Sequence, residues 1–469
     1  MPSMRLAASY WSSLLGLGEK FKQSRLAKAA SVSVVAHVVS QIIRLGGNLI
    51  MTRLLVPEMF GLMSIVLMVQ VMLLNLSDIG VRTVVIQSRN GDNSEFLNTA
   101  WTIQIIRGVA IWGISLLFAG GLIGLANAGM LSGDTAWAAP ELPYVLVVAA
   151  LSSVITGFQS TNHITASRNI SLNRVVTIEL IGQLCGLVLM IVIGLMTRSI
   201  WSLVVAGLAA AVVTTALSHV VLPGIRNAFH WDNEAWREIY KFGIWIMISS
   251  VTSVLAFNSD RAVLGALVTA ATLGLYSIAL SFSQIAEGVV GRLSESVILP
   301  ALSETHRAGQ GEVARKLRRI RVPFDLWYLV VAGGLFVLAP TIISLLYDDR
   351  YEGAGRMLQI LSFSVALTRY GIFSVAYLAM GKPKYQTAAS TVRFLALAIG
   401  MPIGFHLYGV EGAIWAIALH QLGILPLYYI LNKQLGLNDL RYEAVILLGW
   451  PIGYLMGQAV LVMAALVFG

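Results

Sequence analysis

One cysteine, Cys185, stands within an apolar run. A lone thiol excludes an intramolecular disulfide and any metal site built from cysteines. Charge is scarce as well: 12% of residues are Asp, Glu, Lys or Arg, against 57% hydrophobic. That balance excludes a soluble globular enzyme and a disordered chain. No pair of acids stands at glycosidase spacing, no Gly-rich loop closes on Lys-Ser/Thr, and no ligand spacing suits zinc. Neither a cofactor nor a metal is expected. Asp348-Asp349, between Tyr347 and Arg350, reads as a solvated loop. No segment between apolar runs is long enough to hold a catalytic domain. The formal net charge of +9 invites nucleic acid as a partner, but the basic residues are spread over many short segments, so that reading is set aside. A cleavable signal is absent too, because the first apolar run follows Lys20, Lys22, Arg25 and Lys28 and is of full span length.

What is present is a series of about thirteen apolar segments, each long enough to cross a bilayer. The chain therefore reads as an all-α polytopic membrane protein. The segments between spans alternate in basic content, with Lys and Arg concentrated on one side, which places the N-terminus in the cytoplasm. The expected organisation is a basic interfacial segment over 1–30, a six-helix bundle over 31–222, a second over 223–431, and an extra transmembrane segment over 432–469. Within the second bundle, 292–321 reads as a cytoplasmic amphipathic linker. Val313, Leu317 and Ile320 share a face, ringed by Arg315, Lys316, Arg318 and Arg319, a pattern suited to an anionic leaflet. Residues 52–64 (TRLLVPEMFGLMS) weakly repeat in 265–277 (GALVTAATLGLYS), and each copy joins the first and second span of its bundle. Six spans per copy keeps both in one orientation, so the bundles form a parallel pseudo-two-fold pair with a site between them.

The chemistry sits in Ser31 to Gly61. His37, Gln41, Arg44 and Asn48 follow the spacing i, i+4, i+7, i+11 and form one stripe on a helix. A charge at mid-bilayer costs roughly 2.5–3.5 kcal/mol on insertion scales, so the stripe must face protein or water, not lipid. Arg107, beside Gln104, and Arg369 are further embedded arginines. These three are the candidate anion contacts, with His37, Gln41 and Asn48 lining the path. Weaker polar stripes are Thr156, Gln159, Ser160 and His163; Glu179 and Gln183; Ser281, Gln284 and Glu287; and His420 with Gln421. Most such stripes are helix packing. Glu179 and Glu287 are the acids that an ion gradient could act through. Asp260-Arg261 reads as a snorkelling pair near a helix end.

Arg53-Leu-Leu-Val-Pro57-Glu58-Met-Phe60-Gly61, Asp78-Ile-Gly80, Ile86-Gln87 and Asn98-Thr-Ala-Trp101 resemble the polysaccharide transport family. These are the O-antigen and exopolysaccharide flippases of the multidrug/oligosaccharidyl-lipid/polysaccharide exporter superfamily. Gly381-Lys382-Pro383-Lys384 and Tyr408-Gly409-Val410-Glu411-Gly412-Ala413 resemble its second half. The resemblance implies a bacterial inner-membrane protein, not an enzyme. Its substrate would be an oligosaccharide on an undecaprenyl-type pyrophosphate, moved by alternating access among membrane lipids. Polysaccharide polymerase and export machinery would be its partners. The guanidinium groups fit that cargo, since arginine binds pyrophosphate through charge-assisted, often bidentate hydrogen bonds. A cation-coupled drug exporter of the same superfamily, or a polysaccharide polymerase or ligase, are the competing readings.

Overall fold

The computed structural model describes residues 25–88, 90–131, 133–168, 172–294, 298–308 and 310–468. The interfacial segment expected over 1–30 lies outside the described residues up to Ser24. Every regular element among the described residues is helical. The first half runs α1 (Arg25–Leu54), α2 (Pro57–Leu76), α3 (Val81–Gln87), α4 (Ser94–Asn127), α5 (Leu142–Gly157), α6 (Asn162–Arg168), α7 (Leu172–Thr197) and α8 (Trp201–Val220). The second runs α9 (Asn233–Leu267), α10 (Ala270–Leu293), α11 (Leu299–Ala308), α12 (Gln310–Leu346), α13 (Gly353–Thr368), α14 (Ile372–Ala379), α15 (Pro383–Leu419), α16 (Leu425–Leu435), α17 (Leu440–Ile446) and α18 (Gly449–Phe468).

Local chemistry sets the starts. Pro57 opens α2, where a missing N–H is harmless. The Asn93 side chain caps α4 by accepting from the Glu95 N–H, and Asp232 caps α9 by accepting from those of Glu234 and Ala235. One long stretch folds back on itself. Between the two arms of α15, Tyr408 and Gly409 leave helical geometry, and Gly409 takes φ +60°, a conformation glycine adopts without strain. The arms touch there, since a Cβ on Gly412 would lie 2.0 Å from the Gly404 carbonyl oxygen.

Among the described residues, eight helical stretches are long and apolar enough to span a membrane, or nine with the bent pair α5–α6. The apolar runs of the sequence give about thirteen. Pro383–Leu435 counts once among the eight although it doubles back. The stretch 292–321 also differs from expectation. It is α11 and the continuous start of α12, and its apolar face is turned onto the protein. Val313 and Leu317 are buried against Ile298, Leu302, Ile372 and Phe373, while Arg315, Arg318 and Arg319 stay exposed. The final helix α18 docks on α12 through its glycine ridge: a Cβ on Gly453 would lie 2.1 Å from the Val330 carbonyl oxygen.

The largest core cluster contains residues of both halves, from Met51 and Ile65 to Leu264, Tyr276 and Leu358. It lies where α1 turns into α2 and α9 turns into α10. Gly61 and Gly274, matched in the two sequence copies, meet reciprocally here. A Cβ on Gly61 would strike the Ala270 carbonyl oxygen at 1.9 Å, and one on Gly274 the Pro57 carbonyl oxygen at 1.9 Å. Two smaller cores stand apart from it. One packs Val81, Val84, Val85 and Phe96 with Ala235 and Ile239 of α9; another packs Leu302, Leu317, Phe373 and Tyr428.

Candidate functional site

The sealed end is closed by polar contacts as well as by glycines. Arg350 donates to the Thr52 carbonyl (3.0 Å) and the buried Tyr351 hydroxyl donates to that of Leu55 (2.9 Å). Trp137 Nε1 donates to the Ala262 carbonyl (3.0 Å), and the Ala136 amide to that of Val268 (2.9 Å). The Arg350 guanidinium also grips Asp348 at 2.6 Å, which holds that loop carboxyl below the usual carboxylate range.

Below this seam the three arginines singled out from sequence have different surroundings. Arg44 is exposed on α1 and has no carboxylate partner among the described residues. It lies within electrostatic reach of Arg261 on α9, a like charge from the other half. Gln41 and Asn48 are half-buried on the same helix; the His37 side chain lies outside the described residues. Arg107 binds the end of α2: its Nε donates to Ser77 Oγ (3.0 Å), another nitrogen donates to the Leu74 carbonyl, and Asp78 is 3.6 Å away. Arg369 is 3% exposed and sits in a closed network. It faces Asp325 (3.4 Å) and Glu443 (2.9 Å), and Arg321 pairs with the same two acids at 2.9 and 2.6 Å. Arg44, Gln41 and Asn48 thus share one helix, whereas Arg107 and Arg369 stand elsewhere, each with partners of its own.

Of the two acids, Glu179 pairs with His163 at 3.3 Å, and its side chain is 56% exposed. Glu287 accepts a hydrogen bond from Thr368 (3.1 Å), which in turn accepts from Gln421 (3.2 Å). Glu287, Thr368 and Gln421 line a cavity of about 290 Å³ inside the second half, bounded by α9, α10, α13, α15 and α16. Asp260 and Arg393 line it too, and Asp260 corrects the sequence reading. Asp260 does not snorkel; it accepts from the buried Tyr276 hydroxyl at 2.5 Å. Arg393 stands ten residues past Pro383, about 15 Å up α15 at the helical rise, over the Phe257 ring at 4.5 Å. The Gly-Lys-Pro start of α15 is the signal that would have placed it within a helix. No group of His, Cys and acids that could hold a metal occurs among the described residues.

An all-helical membrane fold sealed at one end, with arginines on its dividing seam, defines a transporter-like architecture. The family described as "Polysaccharide biosynthesis protein" matches residues 50–355, and the chain belongs to it. It is similar to the "Lipopolysaccharide biosynthesis protein WzxC" of Escherichia coli (strain K12), 21% identical over 93% of this chain and 86% of that one. An "Uncharacterized membrane protein in cps region" of Klebsiella pneumoniae is 20% identical over 89% of this chain and 84% of that one. The fold is shared with two solved structures. One is "Lipid II flippase MurJ, inward closed conformation" (TM-score 0.68, 14% identity, 92% and 99% covered). The other is an inward-facing multidrug resistance MATE family transporter of the MOP superfamily (TM-score 0.64, 13% identity, 92% and 100% covered).

Proposed function

We propose that the chain is a flippase carrying a polyprenyl-pyrophosphate-linked oligosaccharide, the repeat unit of a cell-surface polysaccharide, across the bacterial inner membrane, with its N-terminus cytoplasmic. The observation that carries this reading is the exposed Arg44 guanidinium on α1, which has no carboxylate partner among the described residues and lies within electrostatic reach of Arg261 on α9 of the other half. Two like charges within reach of each other repel, and an anion bound near both relieves that repulsion. A pyrophosphate supplies two charges and many acceptor oxygens. Gln41 and Asn48 flank Arg44 on α1, about a turn to either side, and offer amide groups to the same cargo, while the lipid tail stays in the bilayer between helices. Alternating access then consists of opening the glycine-packed end while the opposite end closes. The exposed arginines of α12 suit the cytoplasmic side. Glu179 and Glu287 are the acids through which a gradient drives turnover; a proton arriving at Glu287 changes the charge inside the cavity.

In a strain lacking its own gene, Arg44→Ala and Arg261→Ala chains are expected at normal level. Surface polysaccharide falls about tenfold or more, as loss of a charge-assisted contact implies, and the lipid-linked precursor accumulates. Unchanged polymer in both variants overturns the assignment. A drug exporter on this fold would meet cationic cargo with carboxylates, whereas the unpaired charges at this seam are guanidinium groups. The resistance profile of the deletion strain is expected to match wild type.

A further inference from the structure

The cavity in the second half contains four polar atoms that are buried yet have no hydrogen-bond partner among the described residues: Asp260 Oδ1, Ser283 Oγ, Arg393 Nε and His420 Nε2. Ser283 is 2% exposed and His420 6%. Their chemistry is mixed. The His420 Nδ1–H donates to the Ile417 carbonyl at 2.6 Å, so in the neutral ring Nε2 is an acceptor. Asp260 Oδ1 accepts, Arg393 Nε donates, and Ser283 does either. A bare metal cation is poorly served, because the Arg393 guanidinium faces the same space and Tyr276 and Thr368 already donate to Asp260 and Glu287. A bare anion is repelled by those two carboxylates. A neutral ligand with many hydroxyls, each both donor and acceptor, satisfies all four.

We propose that this cavity is a saccharide subsite that takes the sugar next to the pyrophosphate. The proposal rests on the flippase reading above. The volume of about 290 Å³ stands at the small end of ligand pockets and suits one pyranose ring with its hydroxyls. The rim adds amide and ring surface from Gln284, Gln386 and Tyr428. The placement also fits the cargo. Asp260 opens on the cavity, while Arg261, its neighbour in the chain, addresses Arg44 at the seam. Pyrophosphate and first sugar are likewise neighbours in the ligand.

The test uses the full chain in lipid nanodiscs and two kinds of probe: undecaprenyl pyrophosphate, and the same lipid bearing one glucose, galactose or N-acetylglucosamine. Wild type binds at least one saccharide-bearing lipid about tenfold more tightly than the bare lipid, as one to two net hydrogen bonds allow. Ser283→Ala and Gln421→Leu bring that ratio toward one and leave bare-lipid binding intact, which also reports that each variant is folded. Arg44→Ala weakens both probes alike. Equal binding of bare and every saccharide-bearing lipid by wild type overturns the subsite, as does a ratio unchanged in both cavity variants. Sodium-dependent binding abolished by Asp260→Asn, with no preference for sugar, overturns it in favour of a cation site. Failure of wild type to bind even the bare lipid defeats the flippase reading instead.

Discussion

Arg44, Arg107 and Arg369 look alike in sequence, each a lone guanidinium in an apolar helix. Their surroundings separate them. Arg369 shares Asp325 and Glu443 with Arg321, and removing one member of a buried ionic network leaves uncompensated charge behind. Arg321→Met is expected to destabilise the purified protein by about 3–5 kcal/mol in detergent unfolding. Arg44→Met, which strands no carboxylate, is expected to fall within about 0.5 kcal/mol of wild type in the same measurement. Sequence could not distinguish the two cases. The spacing of polar residues shows which side of a helix must avoid lipid, but Asp325 lies 44 positions from Arg369, and nothing local announces their meeting. The same blindness hid the cavity: Asp260 was read with its neighbour Arg261, although its hydroxyl partner, Tyr276, comes from the next helix.

At the level of elements, close approach is what the helices depend on. Gly61 and Gly274 let α2 and α10 cross with backbone against backbone, and no side chain fits between them. Gly274→Leu is expected to part the crossing, lowering thermal stability and raising labelling of a cysteine placed at the otherwise buried Leu55. The glycine ridge of α18 packs within the chain on α12. The apolar runs were legible from the sequence, because hydropathy is local. The fate of 292–321 was not: an amphipathic pattern states that one face is apolar without saying whether lipid or protein covers it. Here Phe373 and Ile372 cover it.

Across the whole molecule, the two halves share their largest core at one end, and α9 of the second half also packs with α3 and α4 of the first in a smaller one. Arg53 and Leu345 are both exposed beside that shared end, where an Arg53 nitrogen reaches the Leu346 carbonyl at 3.5 Å. Joining Arg53→Cys to Leu345→Cys with a short cleavable bismaleimide is expected to stop transport, and cleavage to restore it. The Asp348–Arg350 brace makes the same end acid-sensitive. Its carboxyl titrates below the usual range, so its contribution to stability is complete above pH ~4 and disappears as pH falls through the lowered value. The melting-temperature advantage of wild type over Asp348→Asn is expected to be constant from neutral pH to that point and to vanish below it.

Consecutive residues on a helix point about 100° apart, so Asp260 and Arg261 look into different rooms from one rigid rod. When α9 tilts, both rooms move as one. On the subsite proposed above, cargo gripped at that joint would be held by its linkage and innermost unit, with the outer glycan free. Such a carrier would tolerate long or branched polymers of varied makeup while rejecting a wrong first unit, so exchanging distal units is expected to leave export intact and exchanging the proximal one to halt it.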